Sequence, residues 1–230
     1  NLAKEPQSEI TGKWLVASPE TVGQFSATAY FFGRELHKTL GSPVGLVNAS
    51  VGGTAIELWI SAEAQRRSAA LKPAMELLDR ANAAFDAAAA SARYQEALAQ
   101  WKAGEKARAK KGKRARPPQD PVALHARKHG VGLLFNGMIA PLIPFALRGA
   151  LWYQGEAKST PGRAEHYQYQ LPALVEDWRA RWGQGRWSGA DPAWRPCLPS
   201  GATCCARAFW PCWPSCCALT ACAPPWPSAV

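Results

Sequence analysis

Two short polar segments are where this chain could build chemistry. Asn48-Ala49-Ser50-Val51-Gly52-Gly53-Thr54 follows the apolar run at 43–47, and Gln154-Gly155-Glu156 follows the apolar run at 148–153. A Gly-Gly pair has no Cβ, so backbone N–H groups can approach a ligand oxygen closely. Such donors suit a phosphate or the oxyanion of an acyl-transfer intermediate. The phosphate reading lacks support, because the chain contains neither G-x-G-x-x-G nor G-x-x-x-x-G-K. On its own, Gly-Gly after a strand is also an ordinary tight turn. Gln154 and Glu156 add side-chain donors and a carboxylate at a second strand end, which strengthens the case for a site.

The elements that must position these segments follow from patterning. Both apolar runs, 43–48 and 148–153, are short and bounded by turn residues, as buried parallel strands are. Ser18-Pro19-Glu20 predicts a helix start, and Phe25, Ala29, Phe32, Leu36 and Leu40 continue one apolar face to a stop at Gly41. Residues 62–110 are rich in helix formers, with Leu71, Met75, Leu78 and Phe85, then Tyr94, Leu98 and Trp101, at helical spacing. Lys72-Pro73 marks a break or a fresh start there. Residues 108–128 read as a basic linker. A last helix carries Tyr167, Leu171, Leu174, Val175, Trp178 and Trp182, with Pro172 as a kink or a later start and Gly183 as the stop. Strand–helix alternation predicts an α/β fold with a mostly parallel, helix-covered sheet. In such sheets the chemistry lies beyond the C-terminal strand ends, where both polar segments fall.

Composition divides the chain into unlike regions. The hydrophobic fraction of 47% is globular in character. All seven cysteines, however, lie between Cys197 and Cys222, among Trp210, Trp213, Trp226 and several prolines. An odd count with adjacent pairs does not fit a disulfide framework, and a stretch without histidine does not fit a zinc site. The expectation is that residues 186–230 are an out-of-frame, unstructured tail that carries no function. The net charge of +10 is also local, with ten Lys or Arg from Lys102 to Lys128 against Glu105 and Asp120. That run could engage an acidic polymer, which gives the alternative reading of a non-catalytic binding module. The stretch KARAKKGKRARPPQDP (106–121) has no aromatic residue interleaved for stacking on bases, so nucleic acid is not the expected partner. No run of eighteen apolar residues offers a membrane span. A signal peptide, if the parent protein has one, is expected upstream of Asn1.

Three phrases resemble one family. They are FSATAYFFGRELHKTLGSPVGLVNASVGGTAIELWIS (25–61), LFNGMIAPLIPFALRGALWYQGEAKS (134–159) and YQYQLPALVEDWRARWG (167–183), similar in kind and order to sialate O-acetylesterases. These are SGNH-type carbohydrate esterases, and the resemblance covers most of residues 12–185. It implies an α/β/α sandwich, hydrolysis of acetyl esters on sialic acid or related sugars by a serine nucleophile, and no metal or organic cofactor. It also implies that Gly52 and Gly53 belong to the block bearing an oxyanion-hole glycine. Gln154, Gly155 and Glu156 match the block that lines the same hole. Family members are often exported.

The chain departs from the pattern in three places. Lys158 stands where the family commonly has Asn or Asp, and no Gly-Gln-Ser-Asn tetrapeptide is present to supply the nucleophile. Ser8, between Gln7 and Glu9, is not accepted as a substitute. The catalytic Asp and His would come from an Asp-x-x-His block beyond Gly185, where no histidine occurs. His37, His125, His129 and His166 are each read as surface or structural residues. The expected organisation is a first part of the α/β domain at 1–61, a helical insertion and basic linker at 62–129, a second part at 130–185, and the tail. Esterase activity is not expected from this chain alone.

Overall fold

The computed structural model describes residues 2–104, 116–156 and 164–183. The cysteine-rich stretch, the central part of the basic run and Lys158 lie outside the described residues. Seven α-helices are assigned among those described. Ser18 precedes α1 (Pro19–Val22), and its N–H donates to the Thr21 hydroxyl at 2.9 Å. The single helix expected from Ser18 to Leu40 is divided here. The chain bends at 23–25, and α2 (Ala27–Leu40) begins afresh with the Ser26 hydroxyl accepting from the Ala29 N–H. A glycine at 23 followed closely by a strong capping residue makes restarting better than continuing. Gly41 ends α2 as expected, with φ 63° and its N–H on the His37 carbonyl at 2.9 Å.

The buried side of α2 differs from the stripe read in the sequence. Phe32 and Leu40 are exposed, and the small residues Ala29 and Gly33 face inward. A Cβ at Gly33 would stand 2.6 Å from Cδ1 of Leu46, so the missing side chain is what lets α2 lie close on the 43–48 segment. The excursion beyond residue 62 is helical. It comprises α3 (Ala62–Arg67), α4 (Lys72–Ala83) with Pro73 in its first turn, and α5 (Ala87–Ala103) capped by Asp86. The end of the expected linker is a further helix, α6 (Pro121–His129). Asp120 caps it by accepting from the Val122 N–H at 2.9 Å. An Asp-Pro pair is a strong helix start, and it overrides the basic composition.

The last helix, α7 (Ala164–Trp182), runs through Pro172 instead of restarting after it. Proline removes one intrahelical donor, a cost that the burial of Leu171, Leu174, Trp178 and Trp182 along the helix offsets. Gly183 closes it at φ 61°. The core forms where α7 meets Ile56, Leu58, Trp59 and Ile60, with Leu134, Phe135 and Ile139 from a π-helical turn at Phe135–Ile139. The Trp152 ring stands edge-on to both Trp59 (5.9 Å) and Trp178 (5.8 Å).

No strand is formed among the described residues, so the expected parallel sheet is not seen in them. Residues 43–48 and 149–153 pass between helices without a β-ladder. A strand depends on a neighbour that takes up its N–H and C=O groups, and a pattern of apolar residues cannot supply that neighbour. Residues 9–17 run without helix or strand, leaving Trp14, Leu15 and Val16 exposed at 66%, 67% and 87%.

Candidate functional site

The two polar segments singled out by sequence come together. Gln154 Nε2 donates to the Thr54 carbonyl at 3.0 Å, across 100 residues of chain. The Gln154 carbonyl in turn accepts from the Tyr167 hydroxyl at 2.8 Å, and that hydroxyl accepts from Trp152 Nε1 at 3.1 Å. Helix α7 therefore holds the 152–156 segment, and that segment holds the end of the Gly-Gly turn. Gly155 lies next to Tyr167, with room for a Cβ at 4.0 Å from the ring, and Glu156 is exposed.

Val51 to Thr54 make a tight turn in which Gly53 has φ 69° and Gly52 does not have positive φ, the type II pattern. Both glycines are exposed, and a Cβ on either would meet nothing within 4 Å. The turn is fixed from below by side chains. The Thr54 hydroxyl donates to the Val51 carbonyl at 2.7 Å and accepts from Trp59 Nε1 at 3.0 Å. Trp59 is fully buried, and its carbonyl accepts from Trp178 Nε1 at 3.0 Å. From the side, Arg127 Nη2 of α6 donates to the Gly52 carbonyl at 2.8 Å. The N–H groups of Gly52 and Gly53 have no hydrogen-bond partner among the described residues. The arrangement is an exposed turn held by three separate elements.

Sequence reasoning missed Arg127, which it placed in a linker, and the roles of Thr54 and Trp59. The Asp-Pro cap of α6 was a usable signal for the first. The second had no local signal, because a tryptophan in an apolar run reads as core. Beneath the site Asp177, almost fully buried, accepts from the Ser61 N–H and hydroxyl at 2.9 Å each and from Arg181 Nε at 2.8 Å. Arg181 also reaches Glu63 at 3.0 Å. Burial alone would lower the Arg181 pKa, but Asp177 and Glu63 outweigh it and raise the value.

The histidines are placed elsewhere. The His37 ring bonds the Ser42 carbonyl at 2.8 Å at the end of α2. His125 stacks on Phe85 with ring centroids 3.9 Å apart and bonds the Asn82 side chain at 2.8 Å, docking α6 on the 82–86 region. His129 lies one turn on, 4.7 Å from the His125 ring, and His166 is half-buried at the start of α7. A groove of about 480 Å³ lies between α3 and α7, lined by Arg67, Tyr169, Pro172 and Glu176 among others. None of the residues of the Gly-Gly turn lines it. Among the described residues no group of His, Cys, Asp and Glu could hold a metal ion, and no helix is long and apolar enough to cross a membrane.

No family model matches the chain. Its similarity is to carbohydrate esterases. In particular, a sialate O-acetylesterase from Rattus norvegicus is 31% identical over 199 residues, which is 80% of this chain and 32% of the relative. One from Homo sapiens is 30% identical over 178 residues, 75% of this chain and 25% of the relative. A solved structure, a carbohydrate acetylesterase from Xanthomonas citri, matches with 30% identity and a TM-score of 0.49, over 79% of this chain and 29% of that one. The chain is thus related, over about four fifths of its length, to sialate O-acetylesterases. It spans a third or less of the length of these curated relatives.

Proposed function

We propose that this chain is part of a carbohydrate esterase that removes O-acetyl groups from sialic acid or related sugars. The observation that carries the reading is the Gly52-Gly53 turn with its unpartnered N–H groups, joined through Thr54 to Gln154. Backbone donors held in place before the reaction are what an acyl-transfer oxyanion needs. The chemistry would be attack by a serine on the acetyl carbonyl, with a histidine taking the serine proton and passing it to the sugar oxygen as the ester bond breaks, giving an acyl-enzyme that water hydrolyses to acetate. In the intact enzyme the segments at 43–48 and 148–153 would be strands of an α/β/α sandwich, with 62–129 as an insertion between its two parts.

The His37 and His125 rings are bonded to Ser42 and Asn82, and the Gly-Gln-Ser-Asn motif is missing. The 230-residue chain is therefore proposed to hold the oxyanion side of the site without the nucleophile and base. Acetate release from p-nitrophenyl acetate and from an O-acetylated sialic acid tests this. The purified chain should not exceed the uncatalysed background, and turnover that survives repurification would overturn the inactivity. If the Val51–Thr54 turn of this chain is grafted in place of the corresponding turn of an active family member and that enzyme loses activity more than a hundredfold, the site assignment fails; such losses are typical of removing an oxyanion donor.

A further inference from the structure

We propose that Arg127 and Thr54 are positioning residues that aim the Gly52 and Gly53 N–H groups outward as a paired anion cradle. The inference rests on the reading of the turn given above and adds the residues that set its geometry. A trans peptide unit is planar, with its C=O and N–H pointing in opposite directions. Fixing one therefore fixes the other. The Val51 carbonyl is taken by the Thr54 hydroxyl at 2.7 Å, so the N–H in the same plane, that of Gly52, points away from Thr54. The Gly52 carbonyl is taken by Arg127 at 2.8 Å, so the Gly53 N–H points away from α6.

The two locks differ in construction. The Thr54 hydroxyl accepts the Trp59 indole N–H, which obliges its own proton to go to Val51. Trp59 cannot turn, because it is fully buried and its carbonyl is held by Trp178. Arg127 acts from outside, across 75 residues, at the end of the helical insertion. Its planar guanidinium gives a directional bond and places positive charge behind the same peptide. If either carbonyl were released, its peptide could rotate, and a carbonyl facing an anion repels it.

The test is acetate titration of the whole chain, followed by the backbone amide signals of Gly52 and Gly53, with chloride added to matched ionic strength as control. In the unmodified chain both signals should shift and saturate with acetate. R127Q and T54V should each lose that response while the remaining amide spectrum is retained, and T54S, which keeps the hydroxyl, should restore it. Loss in R127Q with full response in T54V would mean that acetate rides on the guanidinium, and would overturn the proposal. Retained response in both variants would also overturn it while leaving the turn as an anion site. Absence of response in the unmodified chain would remove the reading of the turn itself, and the proposal with it. If a variant loses its overall spectrum, T54S decides, since a positioning role of the hydroxyl requires it to keep the response; loss of the response from folded T54S overturns the proposal.

Discussion

Asp177 and Ser61 stand 116 residues apart in sequence, and one carboxylate receives both the backbone N–H and the hydroxyl of the serine, each at 2.9 Å. The contact joins α7 to the start of α3, immediately after the segment that carries Trp59. Through it the support of the Gly-Gly turn is anchored in the core.

Asp177→Ala removes an almost fully buried acceptor of three hydrogen bonds, leaves the buried Ser61 N–H without its acceptor and leaves Arg181 with Glu63 as its one remaining carboxylate among the described residues. Breaking a buried charged pair from one side costs about 3 kcal/mol or more. Urea unfolding should show a loss of that order, and a loss within about 0.5 kcal/mol, the range of ordinary surface changes, would show the network to be dispensable.

Alanine at the two glycines should separate stability from access. Gly53→Ala forces a Cβ onto φ 69° and should cost about 1 kcal/mol. Gly52→Ala meets no neighbour within 4 Å and has no positive φ, so its stability should change by less than about 0.5 kcal/mol. Thermal denaturation of both variants checks the order; equal losses would contradict the turn geometry.

Acidification should loosen α6. Burial lowers the His125 pKa below the ordinary histidine value, so the folded state resists protonation that the unfolded chain accepts. A base with a depressed folded pKa contributes stability above pH 6.5 that is lost as pH falls through the lowered value. Hydrogen exchange of the α6 amides should rise between neutral pH and pH 5, after correction for the intrinsic rate. In His125→Asn the rise should be smaller; an equal rise would assign it to another group.

Much of the helical frame was legible in the sequence because its signals are local. Gly41 and Gly183 stop helices by adopting positive φ, and Pro73 opens one, all within a turn of the residue concerned. Pro172 misled because burial on one face of α7 outweighs a single lost donor. Phe32 and Leu40 misled because spacing gives a face without saying what covers it. The two candidate segments stand out as polar, glycine-bearing interruptions of apolar runs. Their supports were not, since Arg127 reaches Gly52 over 75 residues and no spacing rule encodes that contact. The sheet was unreadable for a related reason, as pairing is a property of two segments and periodicity is a property of one.

The exposed run Trp14-Leu15-Val16 should drive self-association, since consecutive apolar residues on an unpaired stretch are a template for other chains. Light scattering of the chain at rising concentration should show assembly, and L15K with V16K should suppress it. Unchanged scattering in that double variant would move the cause elsewhere.

The bond from Arg127 to Gly52 gives the insertion a standing that its composition hides. An excursion rich in alanine and lysine looks like an ornament that evolution could lengthen, shorten or discard without penalty. Here its closing helix leans back onto the Gly52-Gly53 turn. A protein engineer trimming residues 62–120 for compactness would have to return α6 to the same spot, much as a bridge may lose its decking but not its keystone.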